Sequence, residues 1–204
     1  MKLVYAPRSP YARKCRIVAI ERGIADRLEL VTVDRDDPAA PLAALNPLDK
    51  VPALIRDDGR PLVDSPVICE YLDQLPGAPL LVPAAGEARW AALHLQAIAD
   101  GICDAVVLAN LEGNRAEAKR SAGARKHQRD KVERGLDQLE RDAAALAGPL
   151  DIGRIALACT LAYEEYRFGR GWRATRPRLA AWYDALAQRP SLRETLAPEM
   201  ATQA

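Results

Sequence analysis

Apolar positions change their period about a third of the way along the chain. Lys2 to Tyr5 reads as a strand, Pro10 to Gly23 as a helix stopped by its glycine, and Leu28 to Val33 alternates as L-E-L-V-T-V, a second strand. Pro52 opens an extended run, Ala53-Leu54-Ile55, and Asp57-Asp58-Gly59-Arg60 reads as a hairpin turn because glycine takes positive φ freely. Asp64-Ser65-Pro66 then starts an amphipathic helix. Ser65 is the expected N-cap and Pro66 the first helical residue, where its missing N–H costs nothing. Together these predict a β-α-β unit followed by a hairpin and a helix. Beyond it the spacing becomes three and four. Trp90, Leu93, Ala97 and Ile98 predict the buried face of a helix over Glu87 to Leu111, and Val132, Leu136, Leu139, Ala143 and Leu146 predict another. Gly148-Pro149 breaks the chain, Asp151 is placed to cap a helix through Ile155, Leu157 and Leu161, and Leu179, Trp182, Tyr183 and Leu186 mark one more before Arg189-Pro190. Pro76, Gly77, Pro79 and Pro83 cluster between Leu75 and Ala84, the composition of a linker. The expected organisation is an α/β domain over 1–77 and an all-α domain over 85–204.

Composition narrows the function classes. The chain has 204 residues, 49% of them hydrophobic, enough for real cores. Twenty-nine Lys and Arg nearly balance 28 Asp and Glu, which argues against nucleic acid or a membrane surface as partner. Cys15, Cys69, Cys103 and Cys159 are widely spaced in apolar patterns and read as buried reduced thiols, not a disulfide framework or metal site. No metal is expected; His94 and His127 stand far apart, away from any ligand pattern. MKLVYAPRSP lacks the apolar region of a leader, and nowhere do eighteen uncharged apolar residues run together, so the expectation is a cytoplasmic protein. Arg115 to Arg134 holds eight Lys or Arg against three Asp or Glu, spread around all sides of a helix and read as a solvated face. Arg167, Arg170, Arg173, Arg176 and Arg178 form a second basic group, open between receiving an acidic substrate and pairing with Glu164, Glu165 and Asp184.

Chemistry concentrates in N-P-L-D-K-V-P-A-L and the D-S-P that follows. Proline is tolerated only at a strand's start or edge, and nearly all cis peptides precede proline, so Val51-Pro52 is a candidate cis step. Val51 would then present its N–H and C=O to the backbone of a bound peptide, as an added strand does. A helix N-terminus and the Ser65 hydroxyl suit a carboxylate, while Asp64 suits an ammonium group. The pair fits an α-amino acid.

These residues, with Ile68 in place, resemble the glutathione-binding half of the glutathione S-transferase family, whose first domain is thioredoxin-like. The resemblance gives Val51 the cysteinyl backbone of glutathione, Asp64 and Ser65 its γ-glutamyl end, and Lys50 a weaker claim on the glycyl carboxylate. Asp49 departs from the pattern, which usually has glycine there. The second half is similar too, in Ile152-Gly153-Arg154-Ile155-Ala156-Leu157-Ala158, Tyr166-Arg167-Phe168, Arg176-Pro177-Arg178-Leu179-Ala180-Ala181-Trp182 and Arg189-Pro190-Ser191. Arg154 replaces the usual Asp, which leaves capping to Asp151.

The implied fold is a thioredoxin-like domain followed by a helical bundle, the implied co-substrate glutathione and the implied assembly a homodimer. A free thiol is mostly protonated at neutral pH, so the site needs a donor that stabilises the thiolate. Arg8-Ser9-Pro10-Tyr11-Ala12 resembles the C-P-Y-C of glutaredoxins with serine and alanine in place of the cysteines. Ser9 is the candidate donor; Tyr5 and Tyr11 are rivals. Asp100 resembles a family residue that reaches the amine of glutathione on the neighbouring subunit. The expected reaction is conjugation of glutathione to a small hydrophobic electrophile. A glutathione-dependent reductase or peroxidase, and a non-enzymatic regulatory module, are the alternatives.

Overall fold

The structure is a computed structural model that describes residues 1–33, 42–78 and 80–201. Its first part is a four-stranded sheet in the order β2-β1-β3-β4, with β1 Lys2–Tyr5, β2 Glu29–Thr32, β3 Ala53–Ile55 and β4 Pro61–Val63. β1 pairs with β2 in parallel; β1 with β3 and β3 with β4 are antiparallel. Helix α1, Pro10–Glu21, makes the crossover from β1 to β2 and ends before Gly23, whose φ of 66° suits only glycine well. The turn between β3 and β4 closes on Gly59, at φ 79°, whose N–H donates to the Arg56 carbonyl at 2.9 Å. Short α2, Leu42–Leu45, covers one sheet face through Leu42, packed with Val4 and Ala53. Helix α3, Ser65–Asp73, lies with α1 on the other. This is the thioredoxin-like half.

The start of α3 corrects the sequence expectation. Asp64, not Ser65, is the N-cap: its carboxylate accepts the Ser65 N–H at 2.7 Å, and Asp64 sits at φ 68°. The helix begins one residue early because the Asp64 side chain reaches back over its own following amide, which places Ser65 inside the first turn.

The second part is helical: α4 Gly86–Gly113, α5 Ala122–Arg141, α6 Ile152–Phe168, α7 Trp172–Thr175, α8 Pro177–Ala187, α9 Pro190–Glu194 and α10 Pro198–Ala201. Val132, Leu136 and Leu139 are buried in α5, as predicted. In α4 the prediction fails. Trp90 is 64% and Ile98 36% exposed, whereas Ala92, Gln96, Ala99, Ile102, Cys103, Val106 and Ala109 face inward. The reason is how near α6 comes: a Cβ on Gly153 would stand 2.5 Å from the Ala92 carbonyl oxygen. At that point α6 has room for glycine alone, and α4 turns the row of Ala92, Gln96, Ala99 and Cys103 inward while Trp90 faces out. By length and composition α4 could cross a membrane, with mean hydropathy 1.5 over its best window, yet it packs on α5 and α6.

Asp151 caps α6 through the Arg154 N–H at 2.9 Å. The guanidinium of Arg154 pairs with Asp151 and donates to the carbonyls of Leu146 and Ala147 at 2.8 and 2.7 Å. The departure from the usual Asp thus clamps the preceding loop onto the helix.

One continuous core joins the two parts. Ile17, Val18, Leu54, Ile68 and Leu72 share it with Ala99, Ile102, Ile155, Leu157 and Leu161. Each such side chain contributes roughly 1.5–3 kcal/mol on burial. The chain between the parts is anchored as well, since the buried Asp73 carboxylate accepts the N–H groups of Leu81 and Val82 at 2.8 Å each. Arg22 stands 3.2 Å from the same carboxylate. Pro79, in the predicted linker, and 202–204 lie outside the described residues.

Candidate functional site

Sheet register brings three chain segments to one place. Val4 pairs with Ala53, and Ala53 with Val63. At that end of the sheet β1 leaves toward Ser9, β3 is entered from Val51-Pro52, and β4 leaves into Asp64-Ser65. The sequence-predicted residues therefore converge because two strand pairings align them.

Ser9 is the N-cap of α1, and its Oγ accepts the Ala12 N–H at 3.2 Å. A hydroxyl has two lone pairs and one O–H, so capping leaves the O–H free to donate. Tyr11 is committed elsewhere: its O–H donates to Asp104, and burial, with Cys103 and Asp104 nearby, pushes the phenol far above its usual range. Tyr5 ends β1 half-buried with the Arg16 guanidinium 5.4 Å over its ring.

The Val51-Pro52 peptide is cis. Among the described residues Val51 makes no backbone hydrogen bond. Asn46 organises the approach, donating to the Lys50 carbonyl at 2.7 Å and accepting the Leu48 N–H at 3.0 Å. Lys50 is exposed. Asp49 adopts φ 51°, a left-handed conformation that accounts for the glycine of the family pattern and that Asp tolerates better than most residues. Asp64 is exposed, whereas the Ser65 hydroxyl is buried without a hydrogen-bond partner among the described residues.

Asp100 receives the Nζ of the buried Lys14 at 2.6 and 2.8 Å. Burial raises its carboxyl above the usual range; Lys14 opposes this, while Asp104 and Asp64 add to it. Three carboxylates from α3 and α4 are thus within electrostatic reach of one another, with Lys14 paired to one of them. Among the described residues no cluster of His, Cys, Asp and Glu could hold a metal ion.

Sequence reasoning counted Arg167 in a basic group but did not bring it together with Arg8, the neighbour of Ser9. Arg8, exposed, donates to the Tyr166 hydroxyl at 3.2 Å. Arg167 stacks over the rings of Tyr166 and Tyr163 at 4.5 and 5.0 Å, and its Nε is buried without a hydrogen-bond partner among the described residues. The remaining members of that basic group are structural. Arg170 and Arg173 pair with Glu165, Arg173 also with Asp184, Arg176 with Glu133 and Asp137, and Arg178 with Glu140. Glu164 pairs with Arg129 instead. The arginines near Tyr166 were visible in the sequence, but their partition into paired and unpaired members was not. A separate groove of about 410 Å³ runs along α3 and α4, lined by Leu62, Pro66, Val67, Tyr71 and Leu93 among others; Ser9 is not part of it.

A thioredoxin-like sheet whose cis-proline edge meets a capped helix start, backed by an all-helical second part, defines a glutathione transferase-like protein. Residues 8–75 match the glutathione S-transferase N-terminal domain, and 114–185 the C-terminal domain. The "Uncharacterized GST-like protein YibF" of Escherichia coli (strain K12) is 33% identical over 203 residues, covering 98% of this chain and 100% of that protein. A glutathione transferase family member from Pseudomonas fluorescens Pf-5, solved with bound glutathione, superposes with TM-score 0.91 at 43% identity, covering 97% and 98% of the two chains. A family member from the same strain with bound S-(propanoic acid)-glutathione gives 0.88 at 42%, covering 97% and 100%. The chain belongs to the glutathione S-transferase family.

Proposed function

We propose that this protein binds glutathione and conjugates its thiolate to a small electrophile, with Ser9 as the thiolate donor. The observation that carries this reading is the convergence of Ser9, Val51 and Asp64-Ser65 at one end of the sheet. Val51, whose N–H and C=O make no hydrogen bond among the described residues, offers both to the cysteinyl backbone as an added strand would. The orphan Ser65 hydroxyl and the start of α3 take the γ-glutamyl carboxylate, and Asp64 takes its ammonium group. By the family resemblance Asp100, though paired with Lys14, reaches the glutathione amine of a neighbouring subunit, and the exposed Lys50 takes the glycyl carboxylate. The glutathione bound to the Pseudomonas relative supports the co-substrate, and its bound S-(propanoic acid)-glutathione shows that its site has room for a group on the sulfur.

In the reaction the thiol loses its proton to solvent as the Ser9 O–H stabilises the anion. The sulfur lone pair forms a bond to an electrophilic carbon, and the leaving group takes the electrons of the bond that breaks. Ser9 and Ala12 stand where a dithiol enzyme carries cysteines, which favours transfer over disulfide exchange. Four buried free cysteines fit a cytoplasmic setting, and disposal of reactive electrophiles is the corresponding role. The exposed Val67 (49%) and Trp90 (64%), with the α3/α4 groove, form an apolar face suited to a second copy as a homodimer.

The test is glutathione-dependent turnover of 1-chloro-2,4-dinitrobenzene beside a hydroperoxide and a glutathione mixed disulfide. Conjugation with neither reduction supports the proposal. Reduction without conjugation makes the protein a reductase or peroxidase, and glutathione binding with no turnover makes it a binding module.

A further inference from the structure

We propose that the electrophile carries a compact anion, a carboxylate in the simplest case, held by Arg8 and Arg167 against the ring of Tyr166. The proposal deepens the conjugation reading above and rests on it. Its ground is the character of the surface beside Ser9. Arg8 is the residue immediately before the thiolate donor and spends one donor on an uncharged phenol, the Tyr166 hydroxyl at 3.2 Å. Among the described residues Arg167 stacks on the rings of Tyr163 and Tyr166, pairs with no carboxylate and leaves its Nε unpartnered. Each of the other four arginines in that group has an acidic partner. A guanidinium fork matches a carboxylate geometrically, and the half-buried Tyr166 gives the attached carbon skeleton an apolar floor.

The acidic groups nearby do not cancel this charge. Tyr11 already donates to Asp104, and Asp100 is held by Lys14. Glu199, on α10, favours the charged form of Arg8, as the Tyr166 hydrogen bond does more strongly. Arg8 is therefore an exposed cation immediately before the proposed thiolate donor, where an anionic tail would orient the reacting carbon.

The experiment compares 4-chloro-3,5-dinitrobenzoate with its neutral carboxamide. In both, the glutathione sulfur attacks the chlorine-bearing ring carbon, the S–C bond forms, the C–Cl bond breaks, and chloride leaves with the electron pair. The native protein should favour the benzoate over the carboxamide in kcat/KM by about tenfold or more, the scale of one charged hydrogen bond. Arg8→Gln should bring that ratio toward one, chiefly through KM for the benzoate, and Arg167→Met, which keeps the stacked stem, should do likewise. Arg8 is exposed, so its substitution tests the idea without threatening the fold.

Calorimetric binding of the two product thioethers gives the same comparison without turnover. Equal affinity for the carboxylate and carboxamide thioethers, or a preference that survives Arg8→Gln, overturns the proposal while leaving conjugation intact. If neither thioether nor glutathione binds, the parent reading falls and this one with it.

Discussion

Replacing Ser9 by alanine removes two functions of one oxygen, and they are separable. The Oγ accepts the Ala12 N–H at 3.2 Å, so losing it uncaps α1 and costs about 1 kcal/mol, a fall in Tm of about 2–4 °C for a protein of this size. The O–H is the proposed donor to the glutathione thiolate. A hydrogen bond to a charged group contributes about 1.5–3 kcal/mol, and one pKa unit corresponds to about 1.4 kcal/mol, so the bound thiol should titrate about one to two units higher without it. Turnover at about pH 6.5 should drop roughly tenfold to a hundredfold and recover toward the native rate in alkali, where both thiols are ionised. Ser9→Asp separates the roles, because a carboxylate caps the helix but cannot donate. It should keep the Tm near native and yet raise the thiol pKa beyond that of the alanine variant. The assay is the ultraviolet absorbance of bound thiolate titrated against pH, beside thermal unfolding. If Ser9→Ala lowers the Tm while the titration stays put, Ser9 is a cap alone. Tyr5 would then become the donor, since Tyr11 is committed to Asp104.

Three further outcomes follow from the packing. Gly153→Ala sets a Cβ 2.5 Å from the Ala92 carbonyl oxygen and 2.8 Å from the Leu95 Cβ, so urea unfolding should show a net loss of about 1–3 kcal/mol. A gain of about 1 kcal/mol, as helix propensity alone would give, contradicts the close crossing. Asp73→Asn leaves Arg22 without its carboxylate and sets an amide N–H₂ against the Leu81 or Val82 N–H, a loss of about 3–5 kcal/mol by the same measurement. Burial opposes ionisation of Glu21, but hydrogen bonds from Arg189 and Ser191 outweigh it and hold the carboxyl below its usual range. A carboxylate depressed in this way adds stability above its unfolded value, about 4.3, which is lost as pH falls through the folded value. The Tm gap between native protein and Glu21→Gln should be full at neutral pH and close in acid; a gap constant through acid would exclude this linkage.

Local chemistry was legible where a residue type acts on its own neighbours. Gly23 and Gly59 end or turn the chain at positive φ, Asp151 caps α6, and Val132, Leu136 and Leu139 bury one face of α5. The start of α3 slipped by one residue because Asp and Ser are both good caps, and only the conformation of Asp64 chose between them. The face of α4 was misread for a different reason. Periodicity was anchored on the bulky Trp90, but the face that α4 buries runs through Ala92, Gln96, Ala99, Ile102, Cys103 and Val106. The arginines after α6 could be counted but not sorted, since their partners on α5, α6 and α8 come from up to 43 residues away.

By itself the chain determined the order of the strands and the longer helices, a helix start at Asp64-Ser65 and the absence of a dithiol at Ser9 and Ala12, because each is written within a few consecutive residues. Tertiary structure alone decided that Ser9, Val51 and Asp64 share one end of the sheet, since the pairing of Val4 with Ala53 and of Ala53 with Val63 is nonlocal. It also decided that the Tyr11 hydroxyl donates to Asp104 and that Arg8 and Arg167 meet Tyr166, contacts that exist only once α1, α4 and α6 pack together. Hydrogen-bond geometry between distant segments is set by that packing, and no spacing along the chain encodes it.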